Sequence, residues 1–459
     1  MNLSSLKKIY FVGIGGIGMS ALARYFRRRG VGVWGYDKTP TPLTQALERE
    51  GMQIHYDENV SLIPSGVELV VYTPAVPAQH KELTYFRQHG YPVVKRSELL
   101  GMVSEASKTL AIAGTHGQTT TSSLLAWILR TGGVDCTAFL GGIALDFGSN
   151  YVEGGSDWVV AEADEYDRSF LQLQPRMAAI LSMDADHLDI YGDTRQMLEE
   201  GYLAFARRVH PEGKLFVRND LTVHFRDFSN VSGYGIGEGD YRSLVLGVED
   251  GKMIFDYQDP EGTLAGLKLS LAGRHNVENA TVAIAIARAV GVKEKGIREA
   301  LATFKGIKRR FERIVDNELV TYIDDYAHHP AELEATINAA RTMYPGKRLT
   351  GIFQPHLYSR TRDLHTGFAS AMDLLDEPWL LDIYPAREEP IPGVDAGMIL
   401  REMRNPNKRL LPMNEVLHAL GKHPVEVLLT LGAGDIDTLA EPIKNWLDAH
   451  YSTVKPQVP

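Results

Sequence analysis

The chain has 459 residues, of which 44% are hydrophobic and 23% are charged, and its formal net charge is -10. This length exceeds the roughly 250–300 residues at which a single core stops growing, so several domains are expected. The acidic balance argues against a nucleic-acid partner, and the single cysteine, Cys136, excludes an internal disulfide framework. Neither a signal peptide nor an apolar run of the roughly 20 residues that span a membrane is recognisable, so we expect a cytoplasmic protein without a membrane partner.

The first predicted elements are a buried strand at residues 8–12, a glycine-rich turn and a helix. The turn reads Gly13-Ile14-Gly15-Gly16-Ile17-Gly18, and its glycines at 13, 15 and 18 have the spacing of a dinucleotide fingerprint. Asp37 ends the next strand, about where a ribose-binding acid would lie. Such a loop alone indicates a phosphate ligand without specifying the nucleotide. Alternating strands and helices continue to near residue 104 and predict one α/β domain with a mostly parallel sheet.

A second glycine loop opens the next block. An apolar run at residues 109–113 leads into Gly114-Thr115-His116-Gly117-Gln118-Thr119-Thr120, and a helical pattern follows. A strand, a glycine turn and a helix N-terminus aim backbone amides at one point, which predicts a phosphate cradle with Thr119 placed to ligate Mg²⁺. However, Gln118 stands where a P-loop carries its lysine. On this loop alone, a phosphate cradle and an ordinary glycine turn are about equally supported.

Two further predicted strands of this block end in acidic residues. The strand at 156–161 delivers Glu162 and the acids that follow it to residue 167, and the strand at 176–183 ends in Asp184-Ala185-Asp186-His187. Ligands of open parallel sheets collect at the carboxyl ends of the strands. We therefore predict a magnesium site formed by Thr119, Glu162 and His187, although imidazole is an unusual ligand for this hard cation.

The remaining chain contains an insertion and a third α/β block. Residues 213–270 alternate short strands with glycine-rich turns, which predicts an antiparallel insertion. Residues 273–279 precede an alanine-rich helix, and Asn276 is a fair N-cap for it. Residues 305–311 form a basic segment, which is either a solvated linker or a source of a guanidinium for a phosphate. The third block begins near residue 312 and contains the polar motifs 324–330 and 354–360.

Eight of these motifs closely resemble those of the Mur ligase family of peptidoglycan synthesis, in order and over nearly the whole chain. They are residues 13–20, 114–121, 162–167, 184–187, 273–279, 309–311, 324–330 and 354–360. The resemblance implies an α/β fold with three domains. These are an N-terminal Rossmann-like domain for a UDP-sugar (1–105), a central P-loop ATPase-type α/β domain (106–311), and a C-terminal Rossmann-like α/β domain that closes over ATP and an amino acid (312–459).

The resemblance implies amide formation that depends on ATP and Mg²⁺. In the branch that the motifs match, the lactyl carboxylate of UDP-N-acetylmuramate attacks the γ-phosphate of ATP, and the amine of L-alanine then attacks the acyl phosphate. A carboxylate that attacks a polyanion needs charge neutralisation and in-line positioning more than a protein nucleophile, which suits glycine amides, metal ligands and arginines. UDP-N-acetylmuramate and L-alanine are thus the expected small-molecule substrates of a monomer or weak homodimer.

The resemblance also assigns roles to individual residues. The residues expected to hold the UDP-sugar are Gly13, Gly15, Gly16, Ile17, Gly18 and Asp37. The residues expected to bind the nucleotide are Gly114, Thr115, His116, Gly117, Thr119, Thr120, His275, Asn276, Asn279, Asp325 and Tyr326. The catalytic candidates are Gln118, His187, Arg310, His328 and Arg360, with Arg310 directed at the γ-phosphate.

Two features of the sequence depart from the family pattern. The family loop normally reads Gly-Lys-Thr, whereas Gln118 carries no charge. Losing a charged hydrogen bond in a water-excluded site costs roughly 2–4 kcal/mol, or about 30- to 1000-fold in rate. We therefore expect UDP-sugar binding with impaired turnover, unless Lys305, Lys308 or Arg309 compensates. No lysine occurs between residues 187 and 213, so the carbamylated lysine of several sister ligases is not expected.

Three other readings stay open at this point. A sister ligase of the family attaches a recycled murein tripeptide to the same UDP-sugar. The first glycine loop and Asp37 also suit a nicotinamide-dependent oxidoreductase, although the second loop and the acid-tipped strands have no role in that reading. Finally, Gln118 suits a catalytically silent UDP-sugar-binding protein.

Overall fold

The computed structural model describes residues 3–184, 193–249, 251–386 and 388–451. Within these residues the strands form sheets of five, ten and six strands. The chain divides into two compact units. The first holds the five-stranded sheet and most of the ten-stranded sheet, and the second holds the six-stranded sheet together with Leu246–Ile254 and Leu269–Asn276. No helix in these ranges is long and apolar enough to cross a membrane.

The N-terminal sheet is parallel throughout. Its strands are β1 (Lys8–Val12), β2 (Gly32–Tyr36), β3 (Gln53–His55), β4 (Leu69–Tyr72) and β5 (Val93–Lys95), and its helices are α1 (Ile17–Arg28), α2 (Pro42–Arg49), α3 (Lys81–Gln88) and α4 (Arg96–Glu105). The strand order is β3-β2-β1-β4-β5, and every pairing is parallel. The order reverses at β1, so the first glycine loop lies at the topological switch point where such sheets bind ligands.

The central sheet extends from a parallel core. Its strands are β6 (Lys108–Ala113), β7 (Thr137–Ala144), β8 (Ser149–Val152), β9 (Trp158–Ala163), β10 (Pro175–Ile180), β11 (Lys214–Arg218), β12 (Val231–Ile236), β13 (Tyr241–Glu249), β14 (Lys252–Asp259) and β15 (Gly262–Leu269). The associated helices are α5 (Gln118–Thr131), α6 (Thr194–Gln196), α7 (Leu203–Ala206), α8 (Arg274–Val290) and α9 (Glu294–Thr303), and a π-helical turn spans Met197–Tyr202. Strand β6 pairs in parallel with both β9 and β10. The segments that follow these three strands therefore emerge at one edge.

The predicted antiparallel insertion at residues 213–270 is wrong for its first strands. Strand β11 pairs in parallel with β10, β12 pairs in parallel with β11, and the start of β13 pairs in parallel with β12. The centre of β11 is buried on both faces at Leu215, Phe216 and Val217, as is typical of a strand inside a covered parallel sheet. The short strands therefore extend the central sheet.

The six-stranded sheet belongs to the second unit. Its strands are β16 (Glu312–Asp316), β17 (Thr321–Asp325), β18 (Leu349–Phe353), β19 (Glu377–Leu380), β20 (Arg409–Leu410) and β21 (Val427–Leu431), and its helices are α10 (Pro330–Met343), α11 (Tyr358–Met372), α12 (Gly397–Glu402), α13 (Val416–Leu420) and α14 (Ala440–His450). The order is β16-β17-β21-β18-β19-β20, and β16 alone among the pairings described is antiparallel. Two separate apolar clusters pack against this sheet. The segments after β17 and β18 thus share one edge.

Candidate active site

The first glycine loop is closed by the acid at the end of β2. The Gly15 amide donates a hydrogen bond of 2.7 Å to Asp37 Oδ2. A Cβ on Gly15 would lie 2.6 Å from Thr44 Cγ2, and Gly13 has φ +86°, so both positions favour glycine. Gly16 is the N-cap residue of α1. Asp37, predicted as a ribose ligand, therefore also holds the loop in shape beside the amide end of α1.

The second glycine loop has a backbone that only glycine adopts without strain. Gly114 has φ +141° and Gly117 has φ +84°, and Gly117 is the N-cap residue of α5. A Cβ on Gly117 would lie 2.9 Å from Asn279 Oδ1, which places this predicted nucleotide-binding residue directly against the loop. The turn therefore presents the N-terminus of α5 at the carboxyl end of β6, as a phosphate cradle requires.

Ser182, which follows β10, was not predicted as a site residue, but its hydroxyl is hydrogen-bonded to the same loop. Its Oγ accepts a hydrogen bond of 2.8 Å from the His116 amide and lies 2.9 Å from Thr115 Oγ1. His116 Nε2 lies 3.6 Å from Asp184 Oδ2. A lone serine after an apolar strand carries no signal in the sequence. The pairing of β6 with β10 is what brings Ser182 to the loop.

Gln118 points back across the loop. Its Nε2 atom donates hydrogen bonds to the Gly114 carbonyl oxygen and to Glu165 Oε2. Glu165 is only 3% exposed and belongs to the acidic segment after β9. The sequence placed that segment near the metal site without identifying Glu165 as the partner of position 118. The side chain at the lysine position is thus held inside the protein.

Thr119 and Glu162 lie together beneath the loop. Thr119 Oγ1 donates to Glu162 Oε2 at 3.3 Å, and Oε1 accepts hydrogen bonds from Ser122 Oγ at 3.0 Å and from the Gly141 amide at 2.6 Å. Burial raises the pKa of the Glu162 carboxyl, and the hydrogen bonds from Gly141, Ser122 and Thr119 oppose this effect. His187, the third predicted metal ligand, lies outside the described residues.

These two oxygen donors fit a magnesium ion. Mg²⁺ usually takes one or two protein oxygens and completes its shell with phosphate oxygens and water. The described ranges contain no group of three or more His, Cys, Asp or Glu side chains that could hold a metal ion. Thr119 and Glu162 are therefore suited to a cation that arrives with a phosphate ligand.

In the second unit, Asp325 is the most strongly held predicted residue. Its Oδ2 accepts a hydrogen bond of 2.7 Å from the Phe311 amide, and its Oδ1 accepts one of 2.8 Å from the Ala327 amide. Burial raises the pKa of Asp325 to about 6, against the lowering effects of the Arg310 charge and of the two amides. Arg310 lies over the Tyr326 ring, 5.4 Å from its centroid. This carboxyl therefore shapes the turn that carries Tyr326.

Two histidines and an arginine meet at the edge formed by β17 and β18. The His328 and His356 rings are 6.2 Å apart, and Arg360 Nη1 lies 3.4 Å from His356 Nδ1. Burial lowers the pKa of His328, although the nearby Glu332 opposes this shift. His328 and Arg360 were predicted, whereas His356 was not, although it lies in the motif at 354–360. The edge therefore offers neutral imidazole beside a guanidinium.

The structure also describes the surroundings of three further residues singled out in the sequence, Asn276, His275 and Arg309. Asn276 is not the N-cap of α8, because the helix begins at Arg274 and the Asn276 side chain donates to the Ala272 carbonyl oxygen at 2.6 Å. Burial lowers the pKa of His275. Arg309, one of the cations suggested to replace the missing lysine, forms an ion pair of 3.1 Å with the buried Asp324. The Arg309 guanidinium is therefore already paired with a carboxylate of the second unit.

The fold and the two loops define a class of protein: an α/β protein whose two glycine turns, each at a helix N-terminus, suit the phosphates of nucleotides. Three family models match the chain in sequence. They are described as Mur ligase family, catalytic domain (residues 8–108), Mur ligase middle domain (residues 112–287), and Mur ligase, glutamate ligase domain (residues 309–434). The chain belongs to the Mur ligase family. The predicted three-domain α/β fold is confirmed, while the boundaries at residues 105 and 311 stay predictions.

Relatives of similar length are known. A UDP-N-acetylmuramate--L-alanine ligase of Porphyromonas gingivalis is 48% identical over 453 residues, which cover 96% of this chain and 99% of the relative. The enzyme of that name from Flavobacterium johnsoniae is 44% identical and covers 98% of this chain and 99% of its own.

Among solved structures, an alanine-adding ligase matches this chain better than a murein peptide ligase does. The structure of a UDP-N-acetylmuramate-alanine ligase from Thermotoga maritima matches with a TM-score of 0.83 and 28% identity, covering 97% of this chain and all of that one. A murein peptide ligase from Psychrobacter arcticus matches with a TM-score of 0.68 and 25% identity, covering 98% of this chain and all of that one. The tripeptide-ligase, oxidoreductase and silent-binder readings are not favoured by these likenesses.

Proposed function

We propose that this protein joins L-alanine to the lactyl carboxylate of UDP-N-acetylmuramate with consumption of ATP. One observation carries the proposal: the Gly114–Gly117 turn caps α5 while Thr119 and Glu162 meet 3.3 Å apart beneath it. That arrangement suits a nucleotide phosphate with its cation. The full-length likeness to alanine-adding relatives supplies the acceptor and the amino acid.

In this proposal the first glycine loop binds the UDP-sugar. The amides at the N-terminus of α1, together with Gly13 and Gly15, face the diphosphate, and Asp37 keeps the loop closed. The loop lies at the switch point of its own sheet, which is where open parallel sheets bind their ligands.

The second loop binds the ATP phosphates. Amides of residues 114–120 cradle the phosphate oxygens, and Asn279 packs on Gly117. Thr119 and Glu162 would hold magnesium, which when bound neutralises charge on the β- and γ-phosphates. The Glu162 carboxyl must be ionised for this purpose, and its three hydrogen-bond donors favour the ionised form.

The chemistry is two displacements. The lactyl carboxylate oxygen attacks the γ-phosphorus, the bond to the β-phosphate breaks, and ADP leaves. The neutral amine of L-alanine then attacks the acyl carbon and phosphate leaves with the electrons of the acyl C–O bond, while the amine proton passes to a base. We propose His328 as a group that can take this proton, because burial keeps its imidazole neutral, and Arg310 and Arg360 as anion-binding groups.

A coupled ADP-release assay tests the proposal. The purified protein is given ATP, Mg²⁺ and UDP-N-acetylmuramate, with L-alanine, glycine, L-serine or the murein tripeptide as the amine. We expect ADP release that depends on both the UDP-sugar and L-alanine, with the amide product confirmed by mass. Release with the tripeptide but not with L-alanine would overturn the proposal.

A further inference from the structure

Arg96, at the start of α4, lies against the first glycine loop. A Cβ on Gly18 would be 2.5 Å from Arg96 Nη1 and 3.1 Å from its Cδ, so the guanidinium packs directly on the backbone of α1's first turn. That turn contains no acidic residue. Because the helix N-terminus is itself positive, a guanidinium beside it is favourable only when an anion lies nearby.

Asp164 is the carboxylate that this guanidinium contacts on the other side. Arg96 Nη2 lies 3.2 Å from Asp164 Oδ2, and the two side chains are 24% and 40% exposed. Asp164 comes two residues after Glu162, the proposed magnesium ligand. Arg96 therefore stands between the loop for the diphosphate and the strand end that carries the metal ligand, with part of its surface open to a ligand.

We propose that Arg96 binds an anionic group of the UDP-sugar and that Asp164 orients its guanidinium. This inference rests on the proposed function. UDP-N-acetylmuramate carries two anionic groups, the diphosphate and the lactyl carboxylate, and the reaction requires the first at the Gly13 loop and the second near the ATP phosphates. A planar guanidinium can pair with either group through two parallel N–H donors.

Calorimetric titration without ATP tests the inference independently of turnover. The ligands are UDP, UDP-N-acetylglucosamine and UDP-N-acetylmuramate, and the proteins are the natural chain, Arg96→Ala, Arg96→Lys and Asp164→Asn. Arg87→Ala is the matched control, since it removes an exposed guanidinium of the same domain that packs on Tyr72. We expect Arg96→Ala to raise the Kd for UDP-N-acetylmuramate roughly 10- to 100-fold, with a smaller rise for Arg96→Lys and none for Arg87→Ala.

The three ligands identify which anion is bound. An equal loss for all three indicates the diphosphate, whereas a loss confined to UDP-N-acetylmuramate indicates the lactyl carboxylate. If Arg96 merely ties two segments together, Arg96→Ala and Asp164→Asn will lower the thermal midpoint alike and leave every Kd within twofold, which overturns the inference. Failure of the natural chain to bind UDP-N-acetylmuramate would instead refute the proposed function, and this inference with it.

Discussion

Gln118 Nε2 donates a 2.7 Å hydrogen bond to Glu165 Oε2, so a buried carboxylate holds the side chain at the lysine position of the phosphate loop. The same nitrogen also donates to the Gly114 carbonyl oxygen. A primary amide has two N–H donors, and both are used, one by the Gly114 carbonyl of the loop and one by Glu165 after β9. In this arrangement Gln118 offers a phosphate neither a charge nor a free hydrogen.

Replacing Gln118 by lysine is expected to accelerate the reaction. An ammonium at this position restores a charged hydrogen bond to the transferred phosphate, which predicts a rise in kcat of about 30- to 1000-fold. The measurement is alanine-dependent ADP release at saturating ATP. Gln118→Met, which is similar in size and uncharged, is the control and should give no gain. A lysine variant no faster than the parent would contradict the prediction.

The same substitution should couple to Glu165 in stability. An ammonium pairs with the buried carboxylate more strongly than an amide does, so Glu165→Gln should destabilise the Gln118→Lys protein more than it destabilises the parent when no nucleotide is bound. A double-mutant cycle with Glu165→Gln measures this, with an expected coupling of about 1–3 kcal/mol. Additive effects of the two substitutions would show that the side chains act independently.

Glu162→Gln should weaken the response to magnesium without affecting the UDP-sugar. Loss of the carboxylate charge predicts at least a roughly tenfold increase in the Mg²⁺ concentration needed for half-maximal ADP release. Because burial raises the pKa of Glu162, the natural protein should need more Mg²⁺ as the pH falls toward that pKa and the carboxyl takes up a proton. Asp157→Asn, an exposed acid just before β9, is the control. An unchanged Mg²⁺ requirement in Glu162→Gln would remove Glu162 from the metal site.

Asp325 should make the stability of the second unit depend on pH. Its pKa rises from 3.8 to about 6 on folding, so the folded state binds more protons in this interval and the free energy of unfolding falls as the pH rises through it. The expected change is about 2–3 kcal/mol between pH 4 and pH 6.5. Asp325→Asn removes this contribution, so it should destabilise the protein more at pH 4 than at pH 6.5. Thermal unfolding of both proteins at the two pH values checks this, and parallel curves would contradict it.

Asn150 should be required for the shape of the first glycine loop. This fully buried amide donates to the Ile17 carbonyl oxygen at 2.5 Å and to Ser20 Oγ at 2.9 Å, and it accepts a hydrogen bond from Arg24. Asn150→Ala leaves these groups unpaired, which predicts a loss of roughly 1–3 kcal/mol in the free energy of unfolding. Relative to the parent protein, the KM for the UDP-sugar should rise by a larger factor than the KM for ATP. Asn407→Ala, at an exposed position, is the control. Equal changes in both KM values would argue against a specific effect on the loop.

Local chemistry explains what could be predicted. Each glycine loop follows an apolar strand and precedes a helix, so the positive φ of Gly114 and Gly117 and the cap of α5 follow from neighbouring residues alone. The acid at the end of β9 was likewise predictable, because parallel strands present their carboxyl ends at one edge. These short-range patterns were sufficient for the α/β class and the family. They also named the candidate site residues, whose roles stay predictions.

Sheet order and register decided the rest. Only the placement of β6 between β9 and β10 brings Ser182 to the His116 amide and Glu165 to Gln118. The parallel pairing of β11 with β10 depends on which sheet edge was open, a property that no segment carries by itself. Strand and loop types depend on neighbouring residues. The partner of a side chain depends instead on which strands, far apart in the chain, lie side by side. Only the tertiary structure could therefore show these partners.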